Sequence, residues 1–139
     1  MPQNLFYCEI VSREKVKFKG DVEYLLLPGW EGEMGILKNH APLVAMLRPG
    51  ETRLRIDGSD TSLATGEGFV TVKKNKVLVV TSFALSREEI EVDEAEQQLS
   101  EERAFLKGCT TELSEFDEHR LRKMRAMACL KVAGVEIKE

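Results

Sequence analysis

The chain has 139 residues and a formal net charge of −4, with 42% hydrophobic and 32% charged residues. That length fits one compact domain or a small domain with an appendage, and the composition is ordinary for a globular protein. A mildly acidic chain lacks the positive field that general nucleic-acid binding needs, and no apolar run approaches the roughly 20 residues of a membrane-spanning helix.

Short β-type runs separated by turn residues fill the first part of the chain. Residues 5–12 are rich in β-branched and aromatic side chains, residues 22–27 read as a second strand, and Pro28-Gly29 ends it. Residues 34–37 and 43–47 are two further apolar runs. Residues 52–57 alternate cleanly, so one face is wet and the other buried, and Asp57-Gly58 marks a tight turn. Residues 62–65, 68–72 and 77–82 continue the series, with Lys73-Lys74-Asn75 as a turn. Strands of this length and spacing predict a mainly β sandwich or barrel.

The character changes near residue 86. Val92, Leu99 and Leu106 fall seven apart, with Ala95 and Phe105 beside them, as on one apolar helix face. Asp93 followed by Glu96 resembles a capping box, and Gly108 suits a helix end. A second helix is expected from about Ser114, with Leu121, Met124, Ala128, Val132 and Val135 on its apolar side. Two helices joined by a few residues form an antiparallel hairpin. The expected organisation is therefore a β-sandwich over 1–86 and a helical hairpin over 87–139. Charge divides the two helices. Residues 88–102 carry eight acidic and no basic residues, whereas 119–131 carry Arg120, Arg122, Lys123, Arg125 and Lys131 and no acidic one. Solvated faces that attract each other explain this simply; an acidic docking partner for the basic helix is the sharper alternative.

A catalytic constellation is not visible in the sequence. Cys8, Cys109 and Cys129 are odd in number and widely spaced, which fits reduced thiols better than a disulfide framework. His40 and His119 lie far apart and outside any metal-ligand spacing, so no metal or cofactor is expected. No serine or cysteine has a neighbour suited to activating it. The glycine-rich stretch 29–35 is not followed by a helix start and contains Glu31 and Glu33, so it reads as a tight connection between strands, not a phosphate cradle. The N-terminus shows no targeting segment.

Residues 31–43, Glu31-Gly32-Glu33-Met34-Gly35-Ile36-Leu37-Lys38-Asn39-His40-Ala41-Pro42-Leu43, closely resemble the signature of the epsilon subunits of F-type ATP synthases, Gly-Glu-x-Gly-Ile followed by His-x-Pro-Leu. Leu47-Arg48-Pro49-Gly50 and the Gly66-Glu67-Gly68 turn fit the same pattern, the latter where the family has Gly-Gly. The resemblance implies a non-catalytic rotor subunit of the central stalk. Its sandwich would bind the gamma subunit and the ring of c subunits, with Glu31, Gly32, Glu33 and His40 at that interface. It further implies a mobile hairpin whose Arg120, Arg122, Lys123 and Arg125 contact the alpha/beta catalytic head and inhibit ATP hydrolysis. The implied location is peripheral, on the cytoplasmic face of the bacterial inner membrane, reached only through the complex.

Some family members bind ATP through Ile/Leu-Asp-x-x-Arg-Ala on the first helix. The matching residues here are Ile90, Glu91, Val92, Asp93, Glu94 and Ala95, with Glu94 in place of the arginine. A shift of two restores the aspartate but again sets glutamate at the arginine position. Arg125 falls within a familiar Arg-Ala-Met, and Cys129 stands where ATP-binding members have a further basic residue. The degenerate motif implies weak nucleotide binding or none. An ATP-sensing subunit and a free-standing β scaffold are the rival readings.

Overall fold

A computed structural model describes residues 4–108 and 113–137; Cys109 lies outside them. The strands are β1 (Phe6–Val11), β2 (Val16–Val22), β3 (Tyr24–Gly29), β4 (Gly32–Ile36), β5 (Leu43–Leu47), β6 (Gly50–Ile56), β7 (Ser59–Thr65), β8 (Gly68–Lys73), β9 (Lys76–Thr81) and β10 (Ala84–Ser86). A 3-10 turn over Arg87–Glu89 leads to helices α1 (Val92–Gly108) and α2 (Leu113–Ala133). The strands run in the order β10-β7-β6-β3-β5-β8-β9-β1-β2, with β4 paired to β3. The sheet folds over on itself at Gly29, whose pairing with Leu47 is the one link from β3 to β5. Contact of β2 with β6 nearly closes it. The β-sandwich followed by a helical hairpin is the order the sequence predicts.

Alternation of apolar and polar residues builds the core. Phe6, Cys8 and Ile10 of β1 point inward to meet Leu25 and Leu27 of β3, Leu54 of β6, Val70 of β8 and Val79 of β9. Thr52 and Thr65 are the buried polar pair, and their hydroxyls satisfy each other at 2.8 Å, as buried polar groups require. β1 pairs parallel to β9 and antiparallel to β2. The sequence reading omits β2, where Val16, Phe18 and Val22 alternate with Lys17, Lys19 and Asp21 but Gly20 breaks the apolar series, and the three-residue β10.

Two clusters hold the hairpin. Ala95 and Leu99 of α1 pack on Ala126 and Leu130 of α2. On its other side, Val132 of α2 packs with Ile90 against Ala64 of β7. Helix α2 is therefore buried on two faces, against α1 and against the outer side of β6 and β7. This is why Ala126, Ala128, Leu130 and Val132 are all buried, a spacing that a single helical stripe does not give. The capping interaction sits earlier than the sequence suggests. Glu89 Oε1 accepts hydrogen bonds from the amide of Ser86 at 3.0 Å and its hydroxyl at 2.9 Å, while Asp93 lies inside the first turn of α1. Lys17 of β2 also pairs with Glu89, tying this junction to the sandwich.

Candidate functional site

The signature stretch forms two turns. Gly29 pairs with Gly32 across the β3–β4 turn, leaving Trp30 and Glu31 at its tip and Glu33 opposite Pro28. Gly32 has φ 130, a conformation that side chains disfavour. Glu31, Gly32 and Glu33 are all exposed. His40 lies in the β4–β5 connection, where its Nδ1 hydrogen-bonds the carbonyl of Ala41 at 2.7 Å. The two turns sit at opposite ends of β5. The amide of Trp30 donates to the carbonyl of Met46 at one end, and the amide of Asn39 donates to Asn75 Oδ1 of the β8–β9 turn beyond the other. Glu31, Gly32 and Glu33 thus form one cluster and His40 belongs to another.

The four basic residues of α2 point in different directions. Arg120 lies beside Trp30 with Asp117, Leu121 and Met124. Arg122 donates to Glu118 at 2.7 Å and borders a cleft with Glu94, Glu101 and Glu102 of α1. Lys123 is half-buried. Arg125 reaches the sandwich: its Nε donates to Glu67 Oε1 at 3.0 Å, and its Nη2 pairs with Glu67 Oε2. The hydroxyl of Ser82 donates to the same carboxylate at 2.8 Å. Arg125 and these donors, against an opposing burial cost, hold the Glu67 carboxyl down at about 2. Glu67 can occupy this place because Gly68 follows it: a Cβ there would lie 1.8 Å from the carbonyl oxygen of Val80.

A cleft of about 290 Å³ brings Ile90, Glu91, Glu94 and Ala95 together with Arg125 and Cys129. Glu89 also lines it. Three carboxylates therefore face a cleft whose one cationic side chain is paired with Glu67. Burial pushes the Cys129 thiol up and keeps it neutral, and a thiol has no cationic form with which to replace a basic residue. Cys8, deep in the core, is pushed up to about 12.

Three features escape the sequence reading. Glu67 departs from the family's Gly-Gly turn, and that departure is the signal that marks it. His119 Nδ1 bonds to the buried carboxylate of Glu102 at 2.5 Å and its ring stacks on Phe105 at 3.7 Å between centroids, clasping α1 to α2. Nothing in the linear spacing of residues 102, 105 and 119 announces this contact. The third feature is an apolar row across the outer face of the sheet. Met46, Phe69, Val80, Val11 and Val16 stand opposite one another on β5, β8, β9, β1 and β2, and Val44 adjoins Met46. Val44 is 75% exposed, Met46 62% and Val16 54%. The alternation is legible, but which strands lie side by side is not.

Residues 5–87 match the family described as ATP synthase, Delta/Epsilon chain, beta-sandwich domain. The ATP synthase epsilon chain of Desulforamulus reducens is 37% identical over 114 residues, 81% of this chain and 83% of its own length. That of Desulfitobacterium hafniense is 35% identical over 128 residues, 92% of this chain and 96% of its own. Among solved structures, a chain of the Euglena gracilis mitochondrial ATP synthase assembly of OSCP, F1 and c-ring superposes with a TM-score of 0.78 at 22% identity, covering 96% of this chain and 82% of that one. A chain of the Tetrahymena thermophila mitochondrial ATP synthase central stalk and c-ring gives 0.66 at 15% identity, covering 91% and 95%. These two share the fold. The signature turns, the sandwich-then-hairpin order and the sequence matches to bacterial relatives agree, and the chain belongs to the ATP synthase epsilon chain family.

Proposed function

We propose that this chain is a non-catalytic rotor subunit of an F-type ATP synthase, whose sandwich docks on the gamma subunit through its apolar outer face. The outer row Met46–Phe69–Val80–Val11–Val16, exposed at Met46, Phe69 and Val16 and half-buried between, carries this reading, because monomeric soluble proteins rarely leave a contiguous apolar patch open without a partner. The solved assemblies that contain its structural relatives include a central stalk and a c-ring, which supports the same partners here. Glu31, Gly32 and Glu33 on one turn and His40 on the other are the contacts to the c ring. The membrane is reached through that ring, on the cytoplasmic face of a bacterial inner membrane; no helix among the described residues is long and apolar enough to cross one.

The hairpin is the regulatory element. In the compact arrangement Arg125 is paired to the sandwich and Arg122 borders acidic residues of α1. Contact of Arg120, Arg122, Lys123 and Arg125 with the alpha/beta head requires the hairpin to leave that position, so inhibition of hydrolysis is set by a two-state equilibrium. The cleft around Glu91 and Glu94 repels phosphate, and nucleotide does not control the equilibrium. The test is recovery of partners: tagged full-length chain should bring down gamma and the c ring from gently solubilised membranes. Met46→Glu with Phe69→Glu should abolish gamma recovery while leaving the circular dichroism spectrum unchanged. Undiminished gamma recovery by that variant would refute the docking face.

A further inference from the structure

The connection carrying His40 and the β8–β9 turn are locked into one surface. Asn75 accepts from the amide of Asn39 at 2.8 Å and donates through Nδ2 to the carbonyl of Leu5 at 3.1 Å. Asn39, Lys74 and Asn75 have φ values of 64, 49 and 64, so both turns are tight. Lys73, Lys74 and Lys76 are exposed and enter no ion pair among the described residues. Lys38 and Leu37 stand on the adjoining turn, and Leu37 is 60% exposed. The nearby carboxylates are few: Glu9 accepts from Tyr7, and Asp21 lies two strands from Lys76, about 10 Å away at ordinary strand spacing.

An exposed leucine flanked by lysines on a rigid pair of turns is the chemistry of a surface that rests on anionic lipid. The apolar side chain enters the headgroup layer and the ammonium groups meet phosphates. We propose that this end of the sandwich, formed by residues 37–40 and 73–76, binds an anionic phospholipid surface. The inference goes beyond the rotor assignment and holds for the isolated chain. It also gives His40 a setting: a residue at the ring contact would be bordered by lysines facing the lipid around the ring.

The experiment is co-sedimentation of the full-length protein with vesicles. Vesicles of equimolar phosphatidylglycerol and phosphatidylcholine should bind it at low salt, pure phosphatidylcholine should not, and raised salt should release it. Each lysine near such a surface contributes about fivefold in affinity, so Lys73→Gln, Lys74→Gln and Lys76→Gln together should weaken binding roughly a hundredfold. Leu37→Ser should weaken it further. Arg13→Gln with Lys15→Gln, at the opposite end of the sandwich, should leave it unchanged. Excess soluble glycerol phosphate should not compete, since a lone headgroup lacks the surface charge density and the layer that Leu37 enters. The inference fails if anionic vesicles do not bind, if neutral vesicles bind equally, or if the triple variant binds as well as the parent. It also fails if the triple variant loses recovery of the c ring without any vesicle binding by the parent; the lysines would then recognise protein. Loss of gamma recovery in the Met46→Glu and Phe69→Glu variant bears on the rotor reading alone.

Discussion

Glu67 accepts from Arg125 on one side and Ser82 on the other, so the turn between β7 and β8 holds α2 to the sandwich. Its carboxyl sits at about 2 in the folded chain against an ordinary 4.5, so the fold favours the ionised form. The stabilisation is complete above pH 4.5 and is lost as pH falls from there through about 2. Glu67→Gln should reproduce the acid-side loss at neutral pH. The expected result is faster amide hydrogen exchange in α1 and α2, roughly fivefold for a loss near 1 kcal/mol, with exchange in β1, β8 and β9 unchanged. Equal exchange in the two helices would show that apolar packing alone holds the hairpin. His119 acts within the hairpin. Removing its ring leaves the buried Glu102 carboxylate without its partner and Phe105 without its stack. His119→Ala should therefore cost about 1–3 kcal/mol of helix–helix stability, read by thermal unfolding of the helical circular dichroism signal. An unchanged transition would mean that solvent takes over the hydrogen bond at no cost.

At the scale of elements, α2 is the shared layer, with α1 on one side and β6 and β7 on the other. Leu130 is fully buried against Ala95 and Leu99, and Leu130→Ala should destabilise the hairpin by about 2–4 kcal/mol. The sandwich has its own core, which draws on no side chain of α1 or α2. Residues 1–86 should accordingly express as a folded, soluble protein that still recovers gamma; an insoluble or partnerless fragment would place the modular boundary elsewhere. The elements that the sequence makes legible carry one of two signals: alternation or helical spacing along one buried face, as in β1, β6 and the Val92–Ala95–Leu99 side of α1, or a continuous apolar run, as in β5 and β9. β2 is missed because Gly20 and the charged Lys17, Lys19 and Asp21 leave only Val16, Phe18 and Val22 as its apolar signal. The seam of α2 is misread because two buried faces superpose two patterns, so neither dominates the spacing.

Across the whole molecule, the basic residues of α2 are spread out: Arg125 pairs with Glu67 and Lys131 with Glu51 of the sandwich, Arg122 borders α1, and Arg120 lies near Trp30. Converting Arg120, Arg122, Lys123 and Arg125 to alanine removes the Glu67 link and the charge that would meet an acidic head. The assembled variant should hydrolyse ATP faster than the parent, and the parent's inhibition should weaken with salt; equal rates would assign these charges to solvation and internal pairing. The motif residues were legible because they are contiguous, as in Glu31-Gly32-Glu33 and His40-Ala41-Pro42. That they occupy two separate turns was not, because β4 intervenes with a reach the sequence does not fix. The parallel pairing of β1 with β9 carries a last consequence, for synthesis. Residues 7–11 pair on one side with nearby β2, but their partners on the other side are residues 76–80, far along the chain. While the chain emerges from a ribosome, β1 and β2 exist as a two-stranded ribbon, marginal in water and open along one edge. Closure of the sandwich waits until β9 has been made, so β1, first to be synthesised, is among the last strands to be paired on both sides.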